Sequence, residues 1–96
     1  MFETIKQALK FSIDNFDDEI KSNIDTALLE LSRVGVNVDG ITNASENADK
    51  LVLKACELYC KWQFNFMGKA EQFEKNFNSL RDALSVTSSY LESDNE

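Results

Sequence analysis

The stretch Ala48-Asp49-Lys50-Leu51-Val52-Leu53-Lys54-Ala55-Cys56-Glu57-Leu58-Tyr59-Cys60-Lys61-Trp62-Gln63-Phe64-Asn65-Phe66-Met67 decides the fold. Ala48, Leu51, Val52, Ala55, Leu58, Tyr59, Trp62 and Phe66 recur at steps of three and four and make one apolar helical face. Leu53, Cys56, Cys60, Phe64 and Met67 make a second stripe beside it, leaving a polar ribbon along Asn47, Lys50, Lys54, Glu57, Lys61 and Asn65. A helix that is apolar over most of its circumference belongs at the centre of a domain or partly in an interface between chains. The spacing predicts this helix over about 46–67, capped by Asn43 in a capping-box-like start with Glu46, or by Ser45.

On the C-terminal side, Gly68 ends the helix, and Ala70, Phe73, Phe77, Leu80 and Leu84 form a coiled-coil-like seam over about 70–86. The short Met67-Gly68-Lys69 turn makes the two helices antiparallel neighbours. On the N-terminal side, Ile20, Ile24, Ala27, Leu28, Leu31 and Val34 give an amphipathic helix, with Asn15 or Asp17 as its cap and Gly35 at its end. A short helix over about 2–11 precedes it. Residues 35–44 are the one substantial break, and Val36, Val38 and Ile41 alternate there, so the loop either folds back on the core or meets a partner. It is also the one place for a short strand. The reading is all-α: a small bundle of four principal helices, the hydrophobic third at the centre, over residues 1–86. An acidic, Ser-rich and mobile tail follows over 87–96. Leu28, Leu31, Leu51, Leu58, Trp62, Phe73, Phe77 and Leu80 are the expected core.

Composition narrows the function. The 96 residues contain no proline and three glycines, which removes the punctuation of an all-β chain, and fit one domain. They contain no histidine, which excludes imidazole triads and imidazole-zinc sites. Seventeen acidic residues against ten basic ones give a net charge of -7, and every basic residue stands alone in the sequence, against recognition of nucleic acid through phosphates. No apolar run reaches the roughly 18–20 residues of a membrane span, and Met1-Phe2-Glu3 does not open a signal peptide, so the chain is expected inside the cell that makes it.

In that reducing compartment Cys56 and Cys60 are expected as thiols, two small buried hydrophobes rather than half of a metal site. Asp14, Asp17, Asp18 and Glu19 read as a helix start, not a cation loop. No metal, cofactor or catalytic residue is assigned, and no enzyme is expected. The aromatics Tyr59, Trp62, Phe64 and Phe66 read as core, since no basic groove accompanies them for stacking on single-stranded nucleic acid. Leu53, Cys56, Cys60 and Phe64 are the candidates for one side of an interface, with packing under the first helix or the loop as the alternative. Val36, Val38 and Ile41 of the loop, or the first helix, are candidates for the other side.

The block Asp49 to Phe64, followed by Ala70-Glu71-Gln72-Phe73-Glu74-Lys75-Asn76-Phe77-Asn78-Ser79-Leu80-Arg81-Asp82-Ala83-Leu84-Ser85, resembles the second half of the head-tail connector, or adaptor, proteins of tailed bacteriophages. Asp17-Asp18-Glu19 and Ile20-Lys21-x-x-Ile24 resemble the earlier part, so the likeness spans nearly the whole chain. The turn Asn65-Phe66-Met67-Gly68-Lys69 departs from it, being shorter than the connection many relatives carry. The resemblance implies a structural subunit assembled in the bacterial host cytoplasm and located at the head-tail junction of the virion. It implies a ring of about a dozen copies that docks beneath the portal protein, extends the DNA channel and offers a platform to a tail-completion protein. It implies neither a membrane nor sequence-specific binding of nucleic acid. The rival reading is an acidic α-helical regulatory or inhibitory binding protein.

Overall fold

A computed structural model describes residues 1–11 and 14–91. Its four α-helices are α1 (Phe2–Ala8), α2 (Asp17–Arg33), α3 (Lys50–Gln63) and α4 (Ala70–Ser85), with 3-10 turns at Phe66–Gly68 and Ser88–Tyr90. The fold is all-α. Helix α3 packs against all three other helices and is the centre of the bundle.

The end of α2 follows its sequence. Val34 is the last, half-helical residue and Gly35 turns left-handed at φ 92°, where a side chain would be strained. The Gly35 amide donates to the Ser32 carbonyl at 3.0 Å and the Val36 amide to the Leu31 carbonyl at 3.1 Å. These are the paired bonds of a Schellman ending, completed by burial of Val36 and Leu31. The start differs from expectation. Phe16 occupies the cap position without a side-chain bond, so neither Asn15 nor Asp17 caps, and Asp17, Asp18 and Glu19 act through the helix dipole.

Helix α3 begins four residues later than its apolar pattern suggests. The hydroxyls of Thr42 and Ser45 take up local amides: Ala44 donates to Thr42 Oγ1 at 3.2 Å and Thr42 to Ser45 Oγ at 2.9 Å. Such bonds hold a turn in competition with a helix. Asp49 is the cap instead, its Oδ1 accepting from the Leu51 amide at 2.8 Å and the Val52 amide at 3.3 Å. At the other end α3 stops at Gln63 rather than Met67. Asn65 (φ 49°) and Met67 (φ 55°) are left-handed, and Asn65 Oδ1 accepts from the Ala70 amide at 3.1 Å to start α4. Helix α1 stops at Ala8 rather than near residue 11, and Lys10 is left-handed at φ 63°.

Two long-range connections close the bundle. The Phe2 amide donates to the Asn43 carbonyl at 2.8 Å, and Asn43 Nδ2 donates to Asp25 Oδ1 at 3.0 Å, so the 42–45 turn joins α1 to α2. After α4, residues 88–91 return across the bundle: Leu91 forms an antiparallel bridge with Val36, and the Asn37 amide donates to the Tyr90 carbonyl at 2.7 Å. The Tyr90 hydroxyl donates to the Asp49 carboxylate, 3.1 and 3.2 Å from its two oxygens. The expected mobile tail is therefore a docked strap as far as Leu91, and its last residues, 92–96, lie outside the described residues.

The core contains no buried polar or charged residue among those described. Leu28, Leu31, Leu58 and Phe77 are buried in it. Leu51 is not, contrary to expectation: it is 44% exposed, because it stands in the first turn of α3, where Val52 faces inward instead. Trp62, Phe73 and Leu80 form a half-buried rim rather than the centre. The Trp62 ring lies 5.3 Å from Tyr59 and 6.2 Å from Phe77, and Phe73 lies 6.2 Å from Phe66.

Candidate assembly surface

The structure separates the residues that the sequence grouped as an interface. Cys56 and Cys60 have no exposed surface, because α1 and α2 close over that side of α3. Val36 is equally buried, under the strap. None of the three meets a partner in this conformation. Leu53, Phe64, Val38 and Ile41 are half-buried against the core. Phe64 sits edge-on to Phe11 at 5.2 Å and to Phe16 at 6.1 Å, while Phe11 and Phe16 stack at 5.0 Å. Such edge-to-face contacts add to the apolar burial of each ring. Phe64 of the second stripe thus packs under the α1–α2 corner and Cys56 and Cys60 are buried, while Met67 at the end of the stripe stays exposed.

The large apolar side chains that remain exposed are others: Phe16, Leu29, Val34, Leu51, Met67 and Val86. Val34 ends α2 and Val86 ends α4, and the Val36–Leu91 bridge ties those two helix ends together. Leu51 belongs to the same end, since Asp49 beside it holds Tyr90 of the strap. Phe16 and Met67, the latter 72% exposed, lie at the opposite end, where Phe64 brings the α3–α4 turn to the start of α2. The sequence signal for these positions is modest: Leu29 is off the α2 stripe, and Val86 lies past the last turn of α4.

Charge is distributed unevenly between free and paired groups. Lys6 Nζ lies 2.6 Å from Asp14 Oδ1 and 3.0 Å from Asp17 Oδ1, so one lysine closes the α1–α2 corner. The Asp17 oxygen is buried, and the Lys6 ammonium beside it compensates its charge. The hydrogen bond from Lys6 holds the Asp14 carboxyl below its usual range, and the same bond raises Lys6. Arg33 pairs with Glu30, Lys54 and Lys61 with Glu57, and Arg81 with Asp82. Lys61 also lies over the rings of Phe66 and Phe73, at 5.2 and 5.6 Å, and so fastens the α3–α4 turn. Among the described residues, Lys6, Arg33, Lys54, Lys61 and Arg81 are thus held by carboxylates of the same molecule, which weakens the attraction for phosphate further.

Both cysteines are free. Burial pushes the Cys56 thiol up to about 12, with the Asp25 charge adding to the effect, and pushes Cys60 further, with Cys56 and Glu57 adding. The thiolate is the reactive form, so both thiols are inert in the native fold. Native protein at pH 8 should therefore label with a thiol reagent far more slowly than denatured protein, which mass spectrometry checks. A thiol raised above its ordinary value of 9.0 contributes stability that is complete below that pH and is lost as pH rises toward 12. Denaturant midpoints should accordingly fall above about pH 9, and replacing both cysteines with alanine should reduce that slope.

Among the described residues, no three Cys, Asp or Glu side chains converge as a metal site. Among the described residues, no helix is long and apolar enough to cross a membrane. An open groove of about 310 Å³ beside the start of α1, lined by Met1, Phe2, Glu3, Thr4, Asn43, Ala44 and Glu46, contains no nucleophile paired with a base.

A small acidic helical bundle with apolar side chains at both ends and a strap across one of them has the character of an assembly subunit. A family model described as phage connector protein matches residues 1–91, and the chain belongs to that family of phage head-tail connectors. The family is structural rather than enzymatic, and its members are associated with other head and tail proteins of the virion. Comparison with curated proteins and with solved structures gave no match.

Proposed function

We propose that this connector protein is the repeating subunit of a ring of about a dozen copies that docks beneath the portal protein, extends the DNA channel and supports attachment of a tail-completion protein. The family match over residues 1–91 carries this reading. The charge supports it: a net charge of -7, with much of the positive charge neutralised internally, repels phosphates and suits a conduit wall that must release DNA. A closed ring of identical copies needs a heterologous interface, in which two different patches of each subunit meet. The exposed Leu29, Val34, Leu51 and Val86, with the half-buried Leu53, Phe64, Val38 and Ile41 beside them or at the rim, supply apolar area for those contacts.

Co-expression with the portal protein of the same phage, followed by purification through portal and electron microscopy, tests the reading. The expected result is a ring of this chain on the portal. Portal recovered without it overturns the proposal. Leu51→Glu sharpens the test, because a charge on an exposed apolar position leaves the monomer fold intact but is desolvated on association. Helical circular dichroism should be unchanged and recovery with portal should fall at least tenfold.

A further inference from the structure

The strap after α4 is attached in a way that a second copy can reproduce. Its contacts with the body are confined to its last two residues: the Val36–Leu91 bridge with its bond from the Asn37 amide to the Tyr90 carbonyl, the Tyr90 hydroxyl on Asp49, and the half-buried Tyr90 ring against the core. Leu91 Cδ2 also lies over Gly35, at ordinary van der Waals distance, 3.9 Å, from where a Cβ would stand. Between this anchor and α4, residues 86–89 are all exposed, and Val86 is 80% exposed. The hinge is thus a solvent-facing segment with no packed side chain, while Val36 beneath the anchor is completely covered.

Building on the ring reading above, we infer that in the assembled state the strap crosses between copies: Tyr90 and Leu91 of one subunit occupy the Gly35–Asn37 and Asp49 seat of its neighbour. Every copy carries both the strap and the seat, so the exchange keeps each contact and changes only which chain supplies it. The reach limits the geometry. Five residues from Val86 to Leu91 extend at most about 17 Å, so the neighbour's seat must lie beside the end of α4. That placement brings Val86 of one copy next to Val34 of the other, and these are two of the apolar side chains that the single chain leaves exposed. A strap given to one neighbour and a seat filled by the other is a heterologous contact, the kind that closes into a ring. The anchor is small enough to release: apart from the Asn37-to-Tyr90 bond of the bridge and the Tyr90 hydroxyl on Asp49, no hydrogen bond joins residues 88–91 to the chain before α4 among the described residues, and Tyr90 is the one half-buried aromatic ring involved.

Disulfide trapping reads the exchange. The Asn37-to-Tyr90 bond flanks Val36 and Leu91 as a non-hydrogen-bonded antiparallel pair, whose Cα atoms stand about 4.5 Å apart, within the range a disulfide spans. Val36→Cys and Leu91→Cys are made in separate chains, each checked for native circular dichroism, then mixed and co-assembled with portal under mild oxidation. Neither chain can form the 36–91 bridge within itself, and both single variants are made with Cys56 and Cys60 replaced by alanine so that no native thiol competes. The expected result is a covalent dimer on non-reducing gels in assembled material and at least tenfold less in unassembled monomer. The double variant V36C/L91C, oxidised as monomer, locks the strap at home; it should not assemble until reduced. Rings that form without the inter-chain bond, or a locked chain that assembles as well as its reduced form, overturn the inference and leave the ring reading standing. A parent chain that makes no ring with portal sinks the ring reading, and the exchange with it.

Discussion

Cys60→Asp should unfold the isolated chain at neutral pH, whereas Cys60→Ala should leave it folded with a loss of about 1 kcal/mol, the scale of one small buried group. Cys60 lies on α3 with no exposed surface, in a core without buried polar groups among the described residues, so an aspartate there finds no ionic partner. An unpaired buried charge costs several kcal/mol, a large part of the roughly 5–15 kcal/mol a domain of this size possesses. The variant should regain helicity in mild acid. A buried carboxyl titrates above its unfolded value, so the neutral form's share of stability is present at low pH and is lost as pH rises. Circular dichroism against pH measures this directly. If Cys60 faced a subunit partner, the monomer would instead be as stable as the parent at pH 7 and only assembly would suffer.

The second large effect is at Phe77. Its ring is fully buried on α4 and meets Tyr59 at 5.1 Å and Trp62 at 6.2 Å across the α3–α4 contact. Phe77→Ala removes that burial and leaves a cavity, and should cost about 3–5 kcal/mol. Trp62→Ala should cost less, because the indole belongs to the half-buried rim. Urea melts of the two variants decide the order: both midpoints fall with little change in slope, and Phe77→Ala falls further. The reverse order would place the centre of the core on the wrong side of α3.

How much of this was legible in the sequence differs from element to element. The four helices and the central position of α3 follow from apolar steps of three and four, and Gly35 marks the end of α2 because the turn there requires a positive φ. The direction of the inward face of α3 was only half legible. With apolar residues around most of the helix, periodicity offers two stripes, and the packed molecule turns neither one squarely inward: Val52, Ala55, Cys56 and Cys60 are deeper than Leu51 or Trp62. The ends of α3 were not legible from hydropathy, because hydrogen bonds decide them. Thr42 and Ser45 hold a turn where the apolar pattern already permits helix, and Asn65 leaves the helix while apolar residues continue to Met67.

The candidate surface was less legible still. Phe64 is as apolar as any core residue, and only the fold shows Phe11 and Phe16 closing over it. The strap was hidden for a related reason. Ser88, Ser89 and Tyr90 have the composition of a solvated tail, and what anchors them is a single bridge, one hydroxyl contact, both over forty residues away in sequence, and the half-buried Tyr90 ring. What the helix pattern underestimated is how fully three short helices cover α3: the apolar surface available for assembly lies mainly at the bundle ends and on Leu29, not along the second stripe.

Cryo-electron microscopy of the head-tail junction in purified virions of the phage that encodes the chain tests the connector role most directly. The expected density is a rotationally repeated layer next to the portal into which α2, α3 and α4 fit as one unit in every copy. A junction whose density is fully explained by other proteins, with no place for this bundle, contradicts it.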